Sequence, residues 1–329
     1  MPGPHDLFAR FTFGHPERAA AELRAALPPE LVAQVDWSSL RREPSTVVDP
    51  ELRESQSDLL FSAQLHGGQS LLFYFLLEHQ SSVDRWMALR MLRYVVRQLE
   101  HWRQEHPESE ALPMVVPVVM YHGPEGAWTA PRRVEDLFAL PPEGERWQKL
   151  VPRFEYLLDD LTAEREEALN GRPGPALARL AFRVLRYGRA GELVSRLTGW
   201  TEVFAQVYAA PGGLEELRAV VHYLLEVGEP AAREPMWRVL KSVVGAQRTE
   251  ELMRTMGEEL REEGRLQGRL EGRAEGRAED VLRILSARGI AVDEKARKHI
   301  LTCTDLATLD QWFNSALTAT RLSDLLASE

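Results

Sequence analysis

The chain has 329 residues, 44% of them hydrophobic and 27% charged, with a net charge of −10. This is an ordinary globular composition, long enough for one large domain or two to three smaller parts at ~100–200 residues each. The acidic balance excludes a non-specific nucleic-acid coat, whose affinity comes from Lys and Arg, but not a nuclease, whose metal site needs carboxylates. The longest apolar stretches are short: Met114–Tyr121 runs to eight residues, against the ~20 that span a bilayer. The opening MPGPHDLFARF is not that of a signal peptide. The single cysteine, Cys303, excludes an internal disulfide and a cysteine-rich zinc site. A cytoplasmic protein with no membrane association is expected.

The first thirty residues read as helix, capped by Asp6, with Leu7, Phe8, Phe11, Ala19, Leu23 and Leu27 at near-helical spacing. His15-Pro16 interrupts it, Pro28-Pro29 ends it, and a short helix to about Val35 follows. From residue 36 to 80 the pattern changes to strands. Ser45–Val48 is β-branched; Asp58–Leu65 and the apolar run Ser70–Leu77 flank Gly67-Gly68 as a hairpin. Residues 82–106 read as one long helix, with Trp86, Leu89, Met91, Leu92, Val95, Val96 and Leu99 on its apolar face and five arginines on the remainder. Met114–Tyr121 is a fourth strand, ended by His122-Gly123. The order αβββαβ over residues 1–125 makes a mixed α/β domain. A Pro-rich loop and amphipathic helices extend it over 126–250, a Gly-Arg repeat follows at 251–280, and a helical segment fills 281–329.

Within the hairpin, Asp58 opens one strand, and Glu78 and Gln80 close the next. Residues two apart on a strand share a face, so Glu78 and Gln80 project together and hairpin pairing can bring Asp58 alongside. Carboxylates facing one another at buried strand ends need solvent or a cation. Mg²⁺, a hard cation that takes oxygen ligands, would suit Asp58, Glu78 and the backbone carbonyl of His79, with Gln80 orienting a water. Arg85 and Arg90, at the start of the following helix, could meet the charge on a DNA phosphate. Spacing alone does not separate such a site from solvated strand ends and helix caps. The rings of His79 and His122 fit structural hydrogen bonds better than metal ligation.

Five strings occur in order: Pro4-His5-Asp6-Leu7-Phe8, Gln56-Ser57-Asp58-Leu59-Leu60, Leu77-Glu78-His79-Gln80-Ser81-Ser82, Leu89-Arg90-Met91-Leu92-Arg93-Tyr94 and Val119-Met120-Tyr121-His122-Gly123. Together they resemble the Rpn family of recombination-promoting nucleases, part of the PD-(D/E)xK nuclease superfamily, over about residues 4–250. The resemblance implies a restriction-endonuclease-like core and Mg²⁺-dependent DNA cleavage that promotes recombination, in a mobile-element or defence setting. It puts Asp58 at the motif's Asp, Glu78 at its D/E position and Gln80 at its lysine. Glutamine carries no charge, so Gln80 departs from the superfamily pattern, although it is usual in this family. Asp6 and Glu17 both fit the superfamily's first-helix acid, and Asp6 equally fits an N-cap.

In the repeat, Gly264, Gly268, Gly272 and Gly276 are each followed by Arg, and the six glutamates and six arginines from Arg254 to Arg277 cancel. Four glycines cost up to ~1 kcal/mol each in a helix. Either a helix that pairs closely with a second copy, giving a homo-oligomer, or a flexible connector accounts for them. The functional expectation is a DNA endonuclease; the rival is an inactive DNA-binding or assembly protein that kept the nuclease fold.

Overall fold

The computed structural model describes residues 3–44, 59–78, 83–123, 126–141, 144–189 and 191–326. It divides into two compact units, Met1–Leu252 and Met253–Glu329.

Proline sets the first three helices of the larger unit. Helices α1 (Pro4–Phe13), α2 (Pro16–Ala26) and α3 (Pro29–Val32) each carry proline in their first turn, where its fixed φ suits a helix and its missing N–H costs nothing. Strand β1 (Val35–Arg42) pairs antiparallel with β2 (Leu59–Leu65), and β2 antiparallel with β3 (Ser70–Glu78). The hairpin turns at Gly68, whose φ of 83° is the left-handed backbone glycine tolerates. Helix α4 (Met87–Glu105) crosses to β4 (Met114–Tyr121), which runs parallel to β3. After α5 (Glu145–Gln148), β5 (Leu157–Asp160) adds parallel to β4, completing a mixed five-stranded sheet in the order β1-β2-β3-β4-β5. Pro117 is tolerated in β4 because pairing with β5 begins only at Val118.

Two strands depart from the sequence reading. The strand expected at 45–48 lies outside the described residues. The first described strand is β1, whose register slips between Asp36 and Arg41. There the Asp36 carboxylate accepts from Ser38 N–H at 3.0 Å, and Ser39 Oγ accepts from Gln64 N–H at 2.8 Å. Side chains take over ladder bonds, so the segment reads as turn chemistry. Strand β5 fell in the stretch expected to be helical. Helix α4 begins at Met87, not 82, because the Asp84 carboxylate accepts Trp86 N–H at 2.8 Å. Its apolar face is narrower than expected: Trp86, Leu89 and Val96 are exposed.

The sheet is covered on both faces. Met87, Ala88, Met91 and Tyr94 of α4 pack on Leu60, Leu72 and Val119. On the opposite face Trp37 stacks on Phe73, and α2 lies against β1 and β5. The remaining helices of this unit are α6 (Glu166–Gly171), α7 (Ala176–Tyr187), α8 (Leu193–Leu197), α9 (Thr201–Ala209), α10 (Gly213–Val227) and α11 (Arg233–Val244). Helices α7, α9, α10 and α11 pack together, and α1 joins them through α7 and α10.

A buried charge cluster ties this assembly. Arg172, at the end of α6, donates to both carboxylate oxygens of Asp159 on β5 at 2.6 and 2.7 Å. It also donates to Glu164 at 2.9 Å and to Glu22 of α2 at 3.3 Å. Its side chain is 6% exposed and that of Glu22 is 0% exposed. Burial, and then the charge of Asp159, holds the Glu22 carboxyl well above the usual carboxylate range.

Helix α12 (Ala246–Ala287) has 42 residues and contains the whole Gly-Arg repeat. A Cβ placed at Gly264, Gly268, Gly272 or Gly276 would meet nothing within 4 Å. In the second unit, Ala274, Ala278, Val281 and Leu285 of α12 form a core with α13 (Glu294–Thr302), α14 (Leu306–Ala316) and α15 (Ser323–Leu326). Asp293 and Asp305 cap α13 and α14. Among the described residues no helix is long and apolar enough to cross a membrane.

Replacing Arg172 by methionine leaves Asp159 buried without its cation and should cost roughly 3–5 kcal/mol in urea unfolding. Glu22→Gln mimics the protonated acid and should fold. A raised folded pKa means the Glu22 contribution is full below the unfolded value of about 4.3 and is lost as pH rises through the folded value. Wild-type Tm should therefore fall relative to Glu22→Gln as pH is raised from mildly acidic to alkaline; parallel curves would contradict the shift.

Candidate functional site

The site is built where β3, β4 and β5 end. The register aligns Glu78, the last residue of β3, with Tyr121 of β4, and Tyr121 with Asp160 of β5. The neighbouring β2 enters the sheet at the same end: Leu59, its first residue, pairs with Phe75, three residues before Glu78. Parallel strands joined by a crossover helix commonly expose functional groups at such carboxyl ends.

Two further elements close on this edge. His122, directly after β4, is buried, and its ring centroid lies 5.1 Å from that of His5 in α1. His5 Nδ1 is 2.7 Å from Tyr223 Oη of α10, and Tyr223 stacks on Phe8 at 4.5 Å. Burial pushes the Tyr223 phenol up, so it stays neutral. The next residue, Gly123, sits where any Cβ would collide with the Tyr121 ring. Tyr121 meets Trp128 edge-on at 4.9 Å.

The acids around this edge differ in how they are used. Asp160 accepts from Trp128 N–H at 2.7 Å, Thr162 N–H at 2.9 Å and Thr162 Oγ at 2.6 Å. It is a structural carboxylate. Asp6 is buried on α1, beside His5, and accepts Gly3 N–H at 3.1 Å. The N-cap is therefore Gly3, not Asp6 as expected: α1 starts at Pro4, and Asp6, its third residue, reaches back to the cap's N–H, on the helix that reaches the strand ends. Glu17 is exposed at the start of α2.

Of the expected site residues, Asp58, His79 and Gln80 lie outside the described residues. Glu78 is placed by its backbone register alone. Among the described residues no group of three His, Cys, Asp or Glu side chains is arranged to hold a metal. Arg85 is exposed in the turn before α4, whereas Arg90 is half-buried and donates to Asp84 at 3.2 Å. The sequence reading passed over His5, Tyr223 and Asp160. His5 lay inside a noted string, and the phenol of Tyr223 is 218 positions from its partner, so no local pattern links them.

Tyr223→Phe keeps the stack on Phe8 and removes only the bond to His5. Leaving that buried nitrogen without the phenol should cost about 1–3 kcal/mol, measured by chemical denaturation. An unchanged midpoint would show that His5 does not depend on it.

Comparison with known proteins adds a family. The profile described as "Putative transposase, YhgA-like" matches residues 3–214, more than half of the chain. Recombination-promoting nuclease RpnA of Escherichia coli K12 is 28% identical over 228 residues, covering 69% of this chain and 73% of the relative. RpnD of E. coli O157:H7 is 35% identical over 120 residues, covering 36% and 45%. The K12 protein named inactive recombination-promoting nuclease-like protein RpnE is 27% identical over 262 residues, covering 78% and 81%. No solved structure matches. The chain belongs to the YhgA-like transposase family, that of the Rpn recombination-promoting nucleases.

Proposed function

We propose that the chain is a Mg²⁺-dependent DNA endonuclease on a restriction-endonuclease-like core, and that its cuts promote recombination. The observation that carries this reading is convergence at one sheet edge. His5 of the first family string packs against His122 of the last, and the backbone of Glu78 pairs beside Tyr121. Strings far apart in sequence thus meet where β3 and β4 end, and β2 begins at the same end, with Leu59 opposite Phe75.

Asp58, Glu78 and the His79 carbonyl are hard oxygen donors suited to Mg²⁺. When bound, the ion would polarise a phosphoryl oxygen and acidify a water. Gln80, neutral but able to donate and accept hydrogen bonds, would orient the attacking water. Arg85 would meet the phosphate; Arg90 is already shared with Asp84. The name of RpnE favours one rival, a DNA-binding protein of this fold that does not cut.

Plasmid nicking with purified protein and Mg²⁺ separates the two. Asp58→Ala and Glu78→Ala should each lose cleavage by at least about 10²-fold, on the scale of losing one preorganised electrostatic group. Nicking that persists in both would sink the site. DNA retention without metal, and no nicking under any metal, would favour the rival. Arg85→Ala should weaken DNA binding uniformly across sequences and lower the salt slope by about one.

We also propose that α12 pairs with a second copy of the chain along its open glycine stripe. Wild type should then sediment as a dimer and Gly268→Leu as a monomer. Gly268→Ala should raise helix stability by up to ~1 kcal/mol. A wild type that sediments as a monomer at all concentrations would end this proposal.

A further inference from the structure

A cavity of about 570 Å³ opens between β1, β2, β3 and the C-terminal half of α4. It lies on the α4 face, at the other end of the sheet from Glu78. Leu72, on its floor, is six residues before Glu78 on β3, about 20 Å at the strand rise. The size falls within the ~300–1,000 Å³ of small-molecule sites.

The lining is unevenly satisfied. At the rim the polar groups bond to one another: Arg41 Nε donates to Ser62 Oγ at 3.0 Å, and Ser62 donates to Glu43. Arg41 and Glu43 offset each other in charge, and the second acid of the lining, Glu105, lies 3.4 Å from His101 Nε2, so the lining offers no excess of positive charge for an anion. Deeper in, Gln98 of α4 is 2% exposed, and its Oε1 has no hydrogen-bond partner among the described residues. A buried amide left unmade costs about 1–3 kcal/mol, so each such group needs a reason. Beside it are the apolar Leu60 and Leu72, and one wall is an aromatic pair, Trp102 stacked with His106 at 4.4 Å.

We propose that this cavity binds a nucleobase, read by the Gln98 amide. A primary amide presents a donor and an acceptor in one plane, which matches the donor–acceptor edge of a base; glutamine pairs with adenine this way. The apolar floor and aromatic wall suit a flat heterocycle, and a lining without excess positive charge suits an uncharged one. The base could belong to a free nucleoside or to an unpaired position of a DNA strand. The choice of ligand leans on the nucleic-acid reading above, but the test needs neither metal nor cleavage, so either can fail alone.

The experiment is calorimetric titration of the full chain, without metal, with adenosine, thymidine and a short single-stranded oligonucleotide, for wild type, Gln98→Leu and Gln98→Glu. Binding of a nucleoside identifies a free ligand; binding of the oligonucleotide alone identifies a base presented by a strand. In either case Gln98→Leu should weaken binding by about tenfold or more. It should also raise the melting temperature, because it removes an unpartnered buried amide. Gln98→Glu loses the donor and should bind adenine weakly. Absence of binding by all three probes overturns the proposal. So does binding that survives Gln98→Leu undiminished, or a melting temperature lowered by that change with binding intact, the signature of a packing residue.

Discussion

The fork of Arg172 around Asp159 is the contact on which the larger unit depends. It is bidentate, buried and shared with Glu22 and Glu164. Three carboxylates within reach of one guanidinium would repel one another without it. Burial opposes the arginine's charge, yet the bonds to Asp159 and Glu164 and the charge of Asp159 outweigh it and hold its pKa up. Buried ion pairs seldom add net stability over apolar packing, but breaking one is costly. What this one fixes is position. It pins α2 and the end of α6 to β5, the last strand of the sheet, and joins the helices to it.

That pinning reaches the candidate site in two steps. β5 pairs with β4 through Asp159 and Asp160, and the bonds of Asp160 to Trp128 and Thr162 anchor the loops on either side. The end of β4 is therefore held from one side by β5 and from the other by β3, which ends at Glu78. Helix α1 then closes over it, with His5 against His122 and Tyr223 of α10 behind His5. The strand ends are thus held by paired strands on two sides and by the buried face of α1 on a third.

How much of this was legible follows from how local each signal is. β4 was read with its observed bounds because an unbroken apolar run leaves one choice. The hairpin was read from Gly67-Gly68 between two such runs. β1 was not, because Asp36, Ser38 and Ser39 spend their side chains on the backbone and disguise a strand as a turn. β5 is four residues long, too short for a period to show. The Arg172 cluster joins positions 150 apart, and nothing near Glu22 marks it as a buried acid. The site was legible only through the family strings. The structure accounts for two of them by bringing His5 to His122, and it leaves Asp58, His79 and Gln80 outside the described residues.

The use of acids near that edge narrows the chemistry further. A carboxylate that already accepts several hydrogen bonds has its lone pairs committed, and ligating a metal would cost those bonds. Asp160 is in this state, since backbone and hydroxyl donors occupy both oxygens. Asp84 is too, bound to Trp86 N–H and to Arg90. Asp6, third in α1, reaches back through one oxygen to the N–H of the N-cap Gly3. On the reading proposed above, a cation at this edge would draw on carboxylates supplied by the strand ends. Asp58 and Glu78 are the acids that the sequence places immediately before β2 and at the close of β3. Asp6, the third residue of α1, holds the start of that helix through Gly3 N–H, and Asp84 and Asp160 hold the loops beside the strand ends.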